Sequence, residues 1–111
     1  NAESTLLEAN AIKDLGYLNA ALNRYYYACF YAVSALLLSK ELNPKTHAGI
    51  RSLFHLHFVQ TRIVPLESGQ FFNQLFDKRQ SSDYEDFIDI DKETIENFSL
   101  LSIELIDTIK N

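Results

Sequence analysis

The chain has 111 residues, enough for one domain and too few for two, and 47% of them are apolar, so it can bury a real core. Its net charge of −5 gives no overall field to attract phosphate backbones, which argues against a general nucleic-acid binder while leaving room for a local basic site. Two Pro and three Gly leave few breakpoints, and that scarcity favours long helices over many short strands.

The pattern predicts five helices in one domain, residues 1–111. The first runs from about Glu3 to Leu15 and stops near Gly16, a residue suited to closing a helix C-terminus. Its apolar positions are sparse, so it is expected to lean on another element or a partner. The second runs from about Asn19 to Lys40. One stripe, Leu22, Tyr26, Cys29, Val33 and Leu36, repeats at helical spacing. A second stripe, Tyr27, Tyr31, Ser34 and Leu38, occupies a different face. A helix apolar on nearly all sides needs cover on nearly all sides, and a second subunit is expected to supply part of it.

Asn43-Pro44 breaks the chain, with Pro44 expected in the first turn of the next helix and Asn43 or Thr46 as its cap. This third helix reaches about Gln60 and points Ile50, Leu53, Phe54, His57 and Phe58 inward. Residues 61–68 read as a loop around Pro65. The fourth helix runs from about Gln70 to Ser82, with Phe71, Phe72, Leu75 and Phe76 inward. After a polar stretch from Ser81 to Asp91, the fifth begins near Asp91, its expected cap. It carries Ile95, Phe98, Leu101, Leu105 and Ile109 on one face.

The lone Cys29 sits in an apolar run and reads as a buried, inert thiol, in keeping with a reducing, cytoplasmic setting. No signal peptide or membrane-spanning segment is expected. The first residue is Asn1 rather than Met, so a few native residues are expected to have been trimmed. His55 and His57 are two apart and so face different sides of a helix, which argues against a zinc pair. No metal and no cofactor are expected. Arg51 stands i, i+4 from His55 and six residues from His57; neither spacing is read as a catalytic motif. Arg24, set among apolar residues, is expected to have a carboxylate or helix-end carbonyl partner. His47 is expected to cap or hydrogen-bond at the start of the third helix. Tyr25, Tyr26 and Tyr27 are read as core and interface packing rather than as base-stacking residues.

Several of these segments together resemble the HEPN domains, and among them the small prokaryotic UPF0332 proteins. The resembling residues are Arg24-Tyr25-Tyr26-Tyr27-Ala28-Cys29-Phe30, then Thr46-His47-Ala48-Gly49, then Phe54–Val59, then the run Arg79-Gln80-Ser81-Ser82-Asp83-Tyr84. The resemblance implies an all-α, up-and-down helical bundle of about five helices that forms a homodimer, here through the second and fourth helices. It also implies a minimal nucleotidyltransferase partner, in a toxin–antitoxin or defence-like module. Active HEPN toxins are metal-independent ribonucleases whose Arg–polar…His motifs meet at the dimer interface. Here Arg79 and Gln80 stand at the expected place, but no His follows them in the sequence. Asp83 and Tyr84 stand there instead, and an ionised carboxylate repels phosphate.

Arg79, Asp83 and Tyr84 are therefore the candidate site residues. Arg79 and Asp83, at i, i+4, also fit a surface salt bridge. The resemblance also offers Tyr84 as a counterpart of the tyrosine that partner enzymes nucleotidylate in some related toxins, but an aromatic lid over the core is the preferred reading of Tyr84. Three functions follow from the resemblance: a binding subunit of a nucleotidyltransferase pair, a divergent ribonuclease acting on RNA, and a non-catalytic nucleotide-sensing or interaction domain.

Overall fold

The computed structural model describes residues 1–84 and 90–110; the side chains of residues 81–84 lie outside that description. Its elements are α1 (Ala2–Asp14), α2 (Leu18–Leu38), α3 (His47–Phe54) with a π-helical turn (His55–Val59) continuing it, α4 (Leu66–Tyr84) and α5 (Lys92–Lys110). The architecture is the expected all-α, up-and-down bundle.

Local chemistry sets most boundaries. The Asn1 side chain accepts the Ser4 N–H at 2.9 Å and starts α1. Gly16 takes φ +90°, which lets the chain turn out of α1 without a side-chain penalty. Thr46 accepts the Gly49 N–H at 2.9 Å and caps α3, while Asp91 accepts the Thr94 N–H at 2.8 Å and caps α5. Pro44 lies before α3 rather than in its first turn. α2 ends two residues earlier than its apolar pattern suggests. There the Leu42 N–H returns to the Leu37 carbonyl at 2.9 Å, and Glu41 adopts φ 63° to allow it.

α2 is the axis of the bundle, and α1, α3, α4 and α5 all pack on it. Of its first stripe, Leu22, Tyr26, Cys29 and Val33 are buried. Around them lie Phe54 and Phe58 from the α3 region, Phe71, Phe72, Leu75 and Phe76 from α4, and Ile95, Phe98 and Leu105 from α5. The second stripe is the part this chain leaves open: Tyr31 and Leu38 are 43% and 61% exposed. α1 makes its most extensive contact with α2, and its buried Thr5 and Ala9 show why a helix with few large apolar residues can pack closely. Beside it, Asn10 accepts hydrogen bonds from the Tyr25 and Ser99 hydroxyls and ties α1 to α2 and α5.

Two expectations change between residues 55 and 68. The third helix does not run on uniformly: the Gln60 N–H donates to the His55 carbonyl at 2.8 Å, five residues back, so one turn is wound wide. His57 is consequently exposed rather than inward. α4 begins at Leu66, so the connection is shorter than a loop through residue 68; Pro65 leads into the helix directly.

Gly69, in the first turns of α4, is buried against the wide turn. A Cβ placed there would stand 2.8 Å from Val59 Cγ1 and 2.9 Å from His55 Cε1. Gly69→Ala should therefore force backbone shifts and destabilise the domain by about 1–3 kcal/mol in denaturant unfolding. An unchanged midpoint would mean that the turn does not press on α4.

Candidate functional site

Four half-buried polar residues, Asn23, Tyr27, His47 and Arg79, lie where α2, α3 and α4 meet. Arg79 sits on α4, one turn beyond the buried Leu75 and Phe76, and its side chain reaches across to α2. Its Nη2 donates to the Tyr27 hydroxyl at 3.0 Å, and its Nε donates to Asn23 Oδ1 at 3.4 Å. Asn23 and Tyr27 are four residues apart on α2, so they form one ledge on one face. The guanidinium carbon lies 5.3 Å from the Tyr26 ring centre and 5.4 Å from that of Tyr27, within the range of cation–π attraction.

His47 arrives at the same place from the first residue of α3. Its Nδ1 is 2.9 Å from the Tyr26 hydroxyl. Its ring lies 5.9 Å from Tyr26, 6.3 Å from Tyr27 and 4.3 Å from Phe30, centre to centre. The helix cap is Thr46, which leaves His47 to turn towards α2 rather than serve the turn itself. Burial and the positive charge of Arg79 both push its pKa below the ordinary 6.5. His47 is therefore a neutral imidazole at pH 7, able to accept a proton, beside a fixed cation. It also lines a recess of about 250 Å³ with Phe30, Ser34, Leu42 and Ile50.

His47, thirty-two positions before Arg79 in the chain, thus packs on the same Tyr26 and Tyr27 rings as Arg79 does. His47, Asn23 and Tyr27 are the members that sequence spacing alone did not bring to Arg79. The Thr46-His47 element and the tyrosine run were both visible as motifs, but nothing in a linear pattern placed one on the other. Asp83 and Tyr84 belong to the last turn of α4, and their side chains lie outside the described residues, as does the Arg79–Asp83 pairing.

The other candidates resolve as structure. Arg51 packs over the Phe76 ring at 4.2 Å and pairs with Asp77 at 3.4 Å, bracing α3 against α4. His55, beneath Gly69, has its pKa lowered chiefly by burial and further by Arg51, with Asn73 opposing. Arg24 is more exposed than its apolar neighbours suggested; its carboxylate partner is Glu8, at 3.7 Å. Tyr25 and Tyr26 are buried and Tyr27 is half-buried. Cys29 is fully buried, and burial pushes its thiol up to about 12, which makes it inert at neutral pH. Among the described residues, no cluster of three or more His, Cys, Asp or Glu is placed to hold a metal ion, and no helix is long and apolar enough to cross a membrane. A larger recess, about 530 Å³, lies between the ends of α1, α2 and α5. Its charged residues Glu3 and Lys110 are bound to each other at 2.8 Å, and its floor of Ala32, Ala35 and Ile106 carries no chemistry.

The HEPN domain family profile matches residues 1–111. A UPF0332 protein of Thermotoga maritima is 38% identical over 93 residues, which are 84% of this chain and 70% of that protein. Two proteins of Methanocaldococcus jannaschii, named "Putative toxin MJ0142" and "Putative toxin MJ0605", are 37% and 36% identical over 86% and 75% of this chain. The matched stretches span 65% and 62% of those two proteins, less than two thirds of their length.

Because His47 and His55 both resist protonation in the folded chain, the unfolded chain binds more protons below their ordinary pKa of 6.5. The stability tied to them is complete above that pH and is lost as pH falls through their lowered folded-state values. Glu3 and Asp91, whose carboxyls are held below 4.5 and 3.8, act only in stronger acid. Melting temperature should fall from pH 7 to pH 5, and the double variant His47→Gln, His55→Gln should flatten that slope. A parent profile already flat over this range would contradict the assignment.

Proposed function

Since the chain belongs to the HEPN domain family, we propose that it is the helical binding subunit of a toxin-like pair, acting with a minimal nucleotidyltransferase. The observation that carries this is the position of Arg79. It is a cation held half-buried on a tyrosine ledge, beside the stripe Tyr27, Tyr31 and Leu38 that the chain's own helices leave open. An oriented cation flanked by uncovered aromatic and aliphatic surface is what a subunit offers another molecule. In this reading a second copy covers part of that stripe through α2 and α4, so that two Arg79 side chains face one cleft. The names of the Methanocaldococcus relatives support the toxin-like role. Tyr84, on the last turn of α4, is then the tyrosine on which the partner acts.

A second reading has its own observation. In it, His47 is the neutral imidazole that ribonuclease chemistry needs, and the subunit itself cleaves RNA, with Arg79 holding the scissile phosphate and Asp83 or Tyr84 of the same helix as the second group.

One experiment separates the two. The chain is co-expressed with a minimal nucleotidyltransferase, and the purified subunit and pair are assayed on RNA. The first reading predicts that the two proteins co-purify and that, when a nucleoside triphosphate is supplied, the Tyr84 oxygen bonds its α-phosphorus as pyrophosphate leaves. Failure to associate and to modify overturns it. RNA cleavage by the subunit alone, reduced at least about 100-fold in Arg79→Ala, decides for the second. Equal cleavage by Arg79→Ala overturns the site assignment.

A further inference from the structure

α4 and α5 both pack on α2, but among the described residues they make no extensive backbone contact with each other, so a furrow runs between them. Phe71 meets Phe98 across it, with ring centres 5.6 Å apart. Two recesses follow one another along α5. The first, about 200 Å³, has Phe71, Leu101 and Leu105 beneath it and Glu67 and Glu104 in its walls. The second, about 420 Å³, is lined by Phe98, Leu100 and Glu93. Leu100 is 67% exposed, and Glu67, Glu93 and Glu104 are exposed as well. Glu96, also in the second recess, pairs with Lys13 at 3.7 Å. Glu67, Glu93 and Glu104 have no ion-pair partner among the described residues, and no Lys or Arg lines either recess. The furrow therefore has an apolar floor and charged walls of one sign.

We propose that the α4–α5 furrow docks one basic, amphipathic helix of a partner protein. Its apolar side chains seat on Phe71, Leu100 and Leu101, and its Lys or Arg side chains pair with Glu67 and Glu104. The walls decide for a helix. Their backbone groups are already bonded within α4 and α5, so an extended strand finds no edge to pair with. A helix brings its own hydrogen bonds and lays a ridge of side chains into the furrow. From Thr94 to Thr108 the furrow follows α5 for roughly 21 Å, room for about four helical turns. Charge decides the sign of the partner. The unpaired carboxylates, on a chain of net charge −5, repel an acidic helix, a nucleic acid or an anionic lipid surface. They also disfavour a second copy. The open face of α2, with Tyr31 and Leu38, has no charged residue between those two, and the exposed Leu7 and Leu15 of α1 stand beside Glu8 and Asp14. The furrow lies apart from the Arg79 cluster, so this inference does not rest on the toxin-like reading.

The test titrates the full chain with a synthetic helical peptide of about 18 residues, carrying Leu at every third or fourth position and Arg on both flanks. A reference peptide keeps the Leu positions and carries Glu in place of Arg. The readout is the NMR spectrum of the chain. The Arg peptide should move the methyl resonances of Leu101 and Leu105 and the amides of residues 67–74 and 97–108, and the Glu peptide should not. The double variant Glu67→Lys, Glu104→Lys, at two exposed positions, should weaken binding by about tenfold or more. Asp14→Lys with Glu41→Lys changes the net charge equally at exposed positions outside the furrow and should leave binding unchanged. The amide spectrum of each variant reports that the fold is intact. Equal weakening by the two double variants would mean that net charge alone attracts the peptide, and would overturn the site. Shifts confined to α2 around Tyr31 and Leu38, equal binding of the Glu peptide, or no shift at millimolar Arg peptide would each overturn it too. The toxin-like reading is decided separately, by association with the nucleotidyltransferase.

Discussion

Tyr26 is the side chain on which the arrangement depends. Its ring is wedged between α2 and α4 against Phe72 and Phe76, and its hydroxyl reaches His47 on α3. A phenol is suited to this place because one end can be buried with the core while the other needs a polar partner. Burying that hydroxyl unpaired would cost about 1–3 kcal/mol, and His47 Nδ1, at 2.9 Å, is a partner that meets this need. The same ring carries the Arg79 guanidinium at 5.3 Å. The core thereby fixes two ionisable side chains whose own helices have no direct reason to bring them together.

The bundle makes that junction rigid. α2 is surrounded by four helices, and its contacts with α1 and α5 bury small residues such as Ala9, Ala21 and Ala28, which allow close approach. The aromatic residues are concentrated on the opposite side, where Tyr26, Phe54, Phe72 and Phe76 interlock. The apolar surface of α2 is mostly used within the chain. Among the described residues, the large apolar side chains of α2 that stay exposed are Tyr31 and Leu38, and Arg79 is bonded to the half-buried Tyr27 one turn from Tyr31. A cation so placed keeps part of its hydration while its stem is packed, so it can be held in place without the full cost of burying a charge.

Much of the fold was legible in the sequence because helical periodicity and caps are local. The Leu22–Val33 stripe, the four inward residues Phe71, Phe72, Leu75 and Phe76, and the caps at Thr46 and Asp91 all depend on neighbours a few positions away. The π-helical turn was not legible: it lies against Gly69 of α4, where a Cβ would meet Val59 and His55, and closeness between distant segments leaves no local pattern. The early start of α4 escaped for a related reason, since Pro65 fits a loop and a helix entry equally well. In the candidate site, Arg79 was visible through its family-like motif. His47 was visible in its own motif at a helix start but not as a neighbour of Arg79, because the two meet through the Tyr26 and Tyr27 rings, and tertiary contact of that kind leaves no spacing to read. The fold brings His47 to the tyrosine rings that also hold Arg79.

The most direct test of the account is the nitrogen chemical shifts of the His47 imidazole in the parent and in Tyr26→Phe, a change that removes one oxygen and keeps the ring. If Tyr26 fixes His47 in the site, the parent shows a single neutral tautomer, with Nδ1 as the hydrogen-bonded nitrogen, and the variant shows a mixture of both. Identical nitrogen shifts in the two proteins would mean that Tyr26 does not hold His47, and the junction of α2, α3 and α4 described here would be wrong.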